Sequence, residues 1–155
     1  MNMRARSALL AILAALAALL FTFVAFAQDD QALLKQVKEG RSYEQAGEKW
    51  RTIVLPPKLK KEQLIQLANA LHRLDPESSF DLFDDDSGIE RFIRSLNSED
   101  GISEAWEEKH FVATVQTMMD VHSMKMQWQL VAMDGWKRYA HSNFTLGDKV
   151  AELDK

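Results

Sequence analysis

The 155 residues contain no cysteine. That excludes disulfide staples, thiolate metal sites and a cysteine nucleophile. It also excludes a lipid-modified N-terminal cysteine. Basic residues are in the minority, 19 Lys and Arg against 23 Asp and Glu. The chain therefore lacks the basic stripe that a phosphate backbone requires, and nucleic acid is not an expected partner. An acidic surface also disfavours adsorption to anionic lipid. Several motifs are missing as well: there is no GxSxG, no Walker loop, no GxGxxG and no HExxH. Hydrolase, nucleotide and dinucleotide readings lose their usual support.

What is present begins with a leader. Arg4 and Arg6 precede an apolar run over residues 8–26, and Ala25, Phe26 and Ala27 place small residues where a signal peptidase reads. This order is the secretory pattern, with cleavage expected after Ala27. The run is also long enough to compete as a membrane anchor, because about 18 apolar residues span a bilayer. An uncleaved leader is the one expected route to a membrane. Loss of Arg4 and Arg6 removes two positive charges and takes the formal charge from −4 to −6. The expected location is periplasmic or secreted. Acidity there suits solubility or a basic protein partner.

The expected organisation is a signal peptide over 1–27, an N-terminal helix and linker over 28–48, and one α/β domain over 49–155. Leu33, Leu34 and Val37 sit at helical spacing, and the polar stretch 40–48 with two Gly reads as linker. Residues 50–55 form a β-branched apolar run closed by Pro56 and Pro57, which reads as a buried strand. Leu64, Leu67, Ala68 and Leu71 then mark one helix face. Asp75 and Pro76 end that helix, because proline disfavours helical geometry in the residue before it. Residues 80–83 read as a second strand, so the first pair should be parallel with a right-handed crossover.

Ser87 and Glu90 match a capping box, followed by a buried stripe of Ile89, Phe92, Ile93 and Leu96. Glu90 and Arg94 are spaced to pair across one helical turn. Residues 97–103 are a polar break, and residues 104–109 fit one helical turn. The period changes to two from Phe111, and two half-buried strands follow, over 111–118 and 126–133. Asp134 and Gly135 signal a hairpin turn, with Trp136, Arg138 and Tyr139 starting a third antiparallel strand. The tail from Asn143 stays open. The sum is α/β (α+β): a mixed sheet of four to five strands, a βαβα unit followed by an antiparallel meander, with helices packed on the sheet.

One resemblance emerges from this order. Ile53, Val54, Leu55 and Pro56, then residues 64–68, Leu71, His72, Pro76, residues 80–85, His110 to Ala113, and Trp128, Gln129 and Leu130 resemble small exported bacterial α/β modules, most of them uncharacterised. It covers about residues 50–133. The resemblance implies the fold, and it implies no activity and no site residues.

Three constellations are candidates for chemistry. Asp84, Asp85 and Asp86, with Asp81 just before, lie at the carboxyl end of the expected parallel pair, where open α/β sheets tend to bind ligands. Clustered carboxylates suit a hard cation, with Asp84 and Asp86 as ligands. An EF-hand is excluded, because Ser95 stands where its glutamate is needed. The plainer reading is a helix N-terminus that favours acids. The second constellation is methionine: Met118, Met119, Met124, Met126 and Met133 surround His122 and Trp128. Met118, His122 and Met124 would suit a soft metal such as Cu(I). Packing or an adaptable interaction surface competes with that reading. Third, Glu107 precedes His110 at acid–base spacing, without a nucleophile beside them; His72 and His141 have no close partner in sequence.

The expected function is non-catalytic binding of a protein partner at the cell envelope, immunity-like or inhibitor-like. Asp84, Asp85, Asp86, Trp106 and Trp136 are the candidate contact residues. No cofactor is expected. A periplasmic copper carrier is the alternative. A hydrolase-type enzyme comes third, and it would need Asp84, Asp85 or Glu107 to converge with a histidine.

Overall fold

The computed structural model describes residues 29–96, 104–120, 124–141 and 143–153. The leader, the polar break at 97–103 and His122 lie outside the described residues. Contacts divide the chain after Ala32. Of the first part only 29–32 are described, and they are helical. Among the described residues no helix is long and apolar enough to cross a membrane.

From Leu33 onward the chain forms one six-stranded sheet with the strands in sequence order. These are β1 (Lys38–Gln45), β2 (Glu48–Val54), β3 (Ser78–Phe83), β4 (Phe111–Asp120), β5 (Lys125–Ala132) and β6 (Lys149–Glu152). Only β2 and β3 are parallel, and the other neighbours are antiparallel. The parallel pair needs a long crossover, which α1 (Lys61–Leu74) supplies. The expected mixed sheet of class α/β is therefore present, with one βαβ unit and a meander after it.

The sheet has two unlike faces. Leu64, Leu67, Ala68 and Leu71 of α1 are all buried, and they share one cluster with Ile53, Phe80, Leu82, Ala113, Val115 and Leu130. Leu33 joins that cluster. Gln63 Oε1 accepts the Lys60 N–H at 2.9 Å and closes the start of α1. The Asp75 N–H donates to Leu71 O at its end. On the opposite face α2 (Ile89–Ser95) and α3 (Glu104–His110) cover a smaller, aromatic cluster of Phe83, Ile89, Phe92 and Phe111. A register shift between Leu82 and Phe83 places Phe83 opposite Phe111. The bulge lets Phe111 join the aromatic face while Val112 and Ala113 both join the aliphatic one.

Four expectations are corrected. Residues 40–48 are not a linker: β1 and the start of β2 form a hairpin through Ala46 and Gly47. The segment is polar because β1 is an exposed edge strand, where charge discourages stray pairing. Ser87 does not cap α2. Gly88 is the N-cap, and the Ser87 N–H instead donates to Asp85 Oδ1 at 2.8 Å. Glu90 pairs with Arg41 at 3.5 Å rather than with Arg94.

Trp136, Arg138 and Tyr139 are not a strand but a short helix, α4 (Trp136–Ala140). Gly135 there has φ −69°, so positive φ is not its role. A Cβ at Gly135 would sit 2.8 Å from Phe111 O, and the Gly135 N–H donates to that same carbonyl. The glycine permits close backbone approach. The third antiparallel strand of the meander is β6, further along the chain.

Candidate functional site

Two of the three sequence constellations are brought to definite places, and a third site emerges that the sequence reading did not single out.

The acidic run after β3 is a clasp. His110 Nδ1 lies 2.8 Å from Asp84 Oδ1, and its Nε2 lies 3.6 Å from Asp85 Oδ2. Arg138 of α4 bonds the other oxygen of Asp84 and donates from Nε to Lys109 O at 2.9 Å. Asp86 pairs with Lys38 on β1 at 2.7 Å. The Ser87 N–H, with its hydroxyl and His110 adding to it, holds the Asp85 carboxyl below the usual range. Thus Asp84, Asp85 and His110 do converge, while Glu107 turns elsewhere. Each carboxylate is already engaged by a donor of this chain, and Asp84 and Asp86 point to different partners. Among the described residues no three His, Asp or Glu side chains form a metal cluster.

The methionines divide by strand alternation. Met119 stands opposite Met126 across β4 and β5, and Met118 opposite Gln127. Met119, Met124 and Met126 are 56%, 71% and 60% exposed. Met118 is more covered and Met133 packs at the edge of the aromatic cluster. Trp128, two residues beyond Met126, carries His72 of α1 on its ring, with centroids 4.5 Å apart. His72 is buried and its Nδ1 has no hydrogen-bond partner. Burial, with Arg73 nearby, pushes its pKa down, so the ring stays neutral. Of the candidate metal ligands, Met118 and Met124 are not cross-strand partners, and His122 lies outside the described residues.

The two tryptophans proposed as contact residues are not surface anchors. Trp136 is fully buried in the aliphatic core and meets Phe144 edge-on. It cannot present a face to a partner. Trp106 is half-buried and stacks on Phe83 at 5.3 Å. A Cβ at Gly88 would lie 2.3 Å from that indole, so α2 can begin there only without a side chain.

The third site is a cleft of about 310 Å³ on the aromatic face. Asp81 of β3 forms its floor. Tyr43, Trp50, Phe92 and Phe111 form its walls, and Glu107 reaches it from α3. Tyr43 and Trp50 are cross-strand partners with rings stacked at 6.2 Å. The Tyr43 hydroxyl donates to Asp81 Oδ2. Burial raises the Asp81 pKa to about 7, against the hydrogen bond from Tyr43 and the neighbouring Thr114 hydroxyl, and the Glu107 charge adds to the rise. Burial, and the Asp81 charge beside it, push the Tyr43 phenol far up, so it remains a donor. A perturbed carboxyl in a cleft marks a functional-site candidate.

The sequence held a signal for this site. Asp81 interrupts an otherwise apolar run between Phe80 and Leu82, on a strand buried along its whole length. A charged residue there is rare without a reason. In sequence Asp81 stands just before Asp84, Asp85 and Asp86, whereas strand alternation sends it to a different place. No family model, curated protein or solved structure matches the chain.

Proposed function

We propose that this chain is an exported, non-catalytic binding domain that engages a protein partner at the cell envelope through the methionine end of the β4–β5 hairpin. One observation carries the reading. Leu64, Leu67, Ala68 and Leu71 of α1 and the apolar side chains of β3 are buried, yet Met118, Met119, Met124 and Met126 group at one hairpin end and are exposed. Methionine is flexible and polarisable, and it makes adaptable contact surfaces. Exposed apolar side chains grouped in one place mark interaction sites. The acidic net charge favours a basic partner. Asp84, Asp85 and Asp86 then serve the fold, tying the loop after β3 to α3, α4 and β1.

The test is capture from envelope extract with the wild-type protein and with Met119→Ser/Met126→Ser. A stoichiometric, salt-sensitive partner should bind the wild type and be lost by the variant, with the circular-dichroism spectrum unchanged. A partner retained at full level by the variant would rule this surface out.

A second reading, a soft-metal carrier, is favoured by the register that sets Met119 opposite Met126 on the face where His72 stacks on Trp128. Thioether and imidazole suit Cu(I). Titration of Cu(I) against a competing chelator separates the two readings. Binding lost in Met119→Ser and in His72→Gln supports the metal, and no competition by the wild type removes it.

A further inference from the structure

The cleft on the aromatic face shares β4 with the methionine end but is lined by the other half of that strand, Phe111, Thr114 and Gln116, and has no part in the partner reading. Its chemistry is unusually one-sided. Among the described residues Asp81, Glu107 and Asp134 line it, and no Lys, Arg or His does. Its walls are mainly aromatic, with Phe92 and Phe111 meeting edge-on at 5.5 Å.

The floor differs from other covered carboxylates in this protein. Asp75 is met by Arg51 at 2.9 Å and Lys49 at 3.3 Å. Asp84 is met by Arg138. Asp81 is more deeply buried than either, yet the groups that meet it are neutral hydroxyls: Tyr43 on β1 donates to it, and Thr114 on β4 lies beside it with its own proton on Phe80 O. On β2 its register partner is Thr52, also neutral. Glu107, on α3, brings a like charge. A buried carboxylate without a cation is costly, and either proton uptake or a cation relieves it.

We propose that this cleft is a binding site for a small organic cation, a protonated amine on an apolar body. Asp81 and Glu107 anchor the ammonium, and Tyr43 and Trp50 flank it. The ring faces add attraction for the cation, and the apolar body covers Phe92 and Phe111. A volume of about 310 Å³ stands at the lower end of small-molecule sites and excludes a large ligand. Because Asp81 is partly protonated near neutrality, bound cation drives its proton off. Affinity then rises with pH until Asp81 is ionised in the free protein.

The experiment is calorimetric titration of the full chain in an amine-free buffer with three matched probes: phenethylamine, 2-phenylethanol and 3-phenylpropionate. Phenethylamine should bind saturably, and 2-phenylethanol at least about tenfold more weakly, as the loss of a charge-assisted contact implies. The propionate should not bind. Phenethylamine affinity should rise from about pH 6 to about pH 8, with proton release near neutrality. Asp81→Asn should lower phenethylamine affinity by at least about tenfold and leave 2-phenylethanol unchanged. Glu107→Gln, on a different element, should lower it too and serves if the first variant does not fold. Equal binding of amine and alcohol, binding by none of the three, or an amine affinity unmoved in the folded variants would overturn the proposal.

Discussion

The two faces of the sheet are built to different standards. One is closed by a long helix and is aliphatic. The other is closed by two short helices and is aromatic, with an acid at its floor. The 14 residues of α1 cross the strands and lay Leu64, Leu67, Ala68 and Leu71 on them. The 7 residues each of α2 and α3 cover Phe83 and Phe111 but leave Asp81, Thr114 and Gln116 lining a cleft. Helix length decides the difference, since each residue adds only about 1.5 Å of cover. The closed face carries stability, and the gap on the other face makes room for a ligand.

Substitutions should separate the faces. Trp136→Ala on the closed face should cost the most, about 3–5 kcal/mol, because a fully buried indole leaves a large cavity. Denaturant titration measures it, and a loss below about 1 kcal/mol would break the comparison. Leu67→Ala, equally buried on α1, should cost about 2–5 kcal/mol by the same assay.

On the open face Gly88→Ala should cost about 1–3 kcal/mol, because the new methyl meets the Trp106 ring. Trp106 fluorescence should shift with it.

The next test is pH. The folded-state pKa of Asp81 stands at about 7, above the ordinary 3.8. Its contribution to stability is therefore complete below about 3.8 and is lost as pH rises through about 7. Asp75 acts with the opposite sign. The Ser78 hydroxyl, with Arg51 and Lys49, holds it at about 2, so its contribution is present above 3.8 and is lost as pH falls through about 2. Melting temperature should decline from about pH 5 to about pH 8, and Asp81→Asn should flatten that decline. A slope unchanged in the variant would detach the cleft from the titration.

The smallest effect is expected at the hairpin end. Met119→Ser/Met126→Ser should change stability by less than about 0.5 kcal/mol per site, since both side chains are already in water.

Legibility in the sequence followed the same division. Leu64, Leu67, Ala68 and Leu71 announced α1 because burial on one side writes a helical period into the chain. The residues from Ala113 announced β4 through alternation, while Phe111, expected on the same face as Ala113, faces the other way because of the bulge beside Phe83. β1 stayed hidden because an exposed edge strand needs no apolar period, and its turn is Ala46 and Gly47 at φ 54° and 81°, without the asparagine that advertises such turns. α4 was hidden because its five residues are too few to show a period.

The cleft was legible only as one acid inside an apolar strand. Neither its neighbours nor its role could be read, because Tyr43, Glu107 and Thr114 reach Asp81 from 26 or more residues away in sequence. The tie between Asp84 and His110 was equally out of reach, since it spans 26 residues.

The sequence by itself determined the absence of covalent staples, the acidic charge, the central strands and the main helix. Those properties are summed or periodic along the chain, and local physics suffices for them. Only the tertiary structure decided which acids meet a cation and which do not, that Trp136 lies inside while Met119 and Met126 lie outside, and that a gap remains beside α2 and α3. Each of those is a relation between segments brought together by strand pairing, and no single segment carries it.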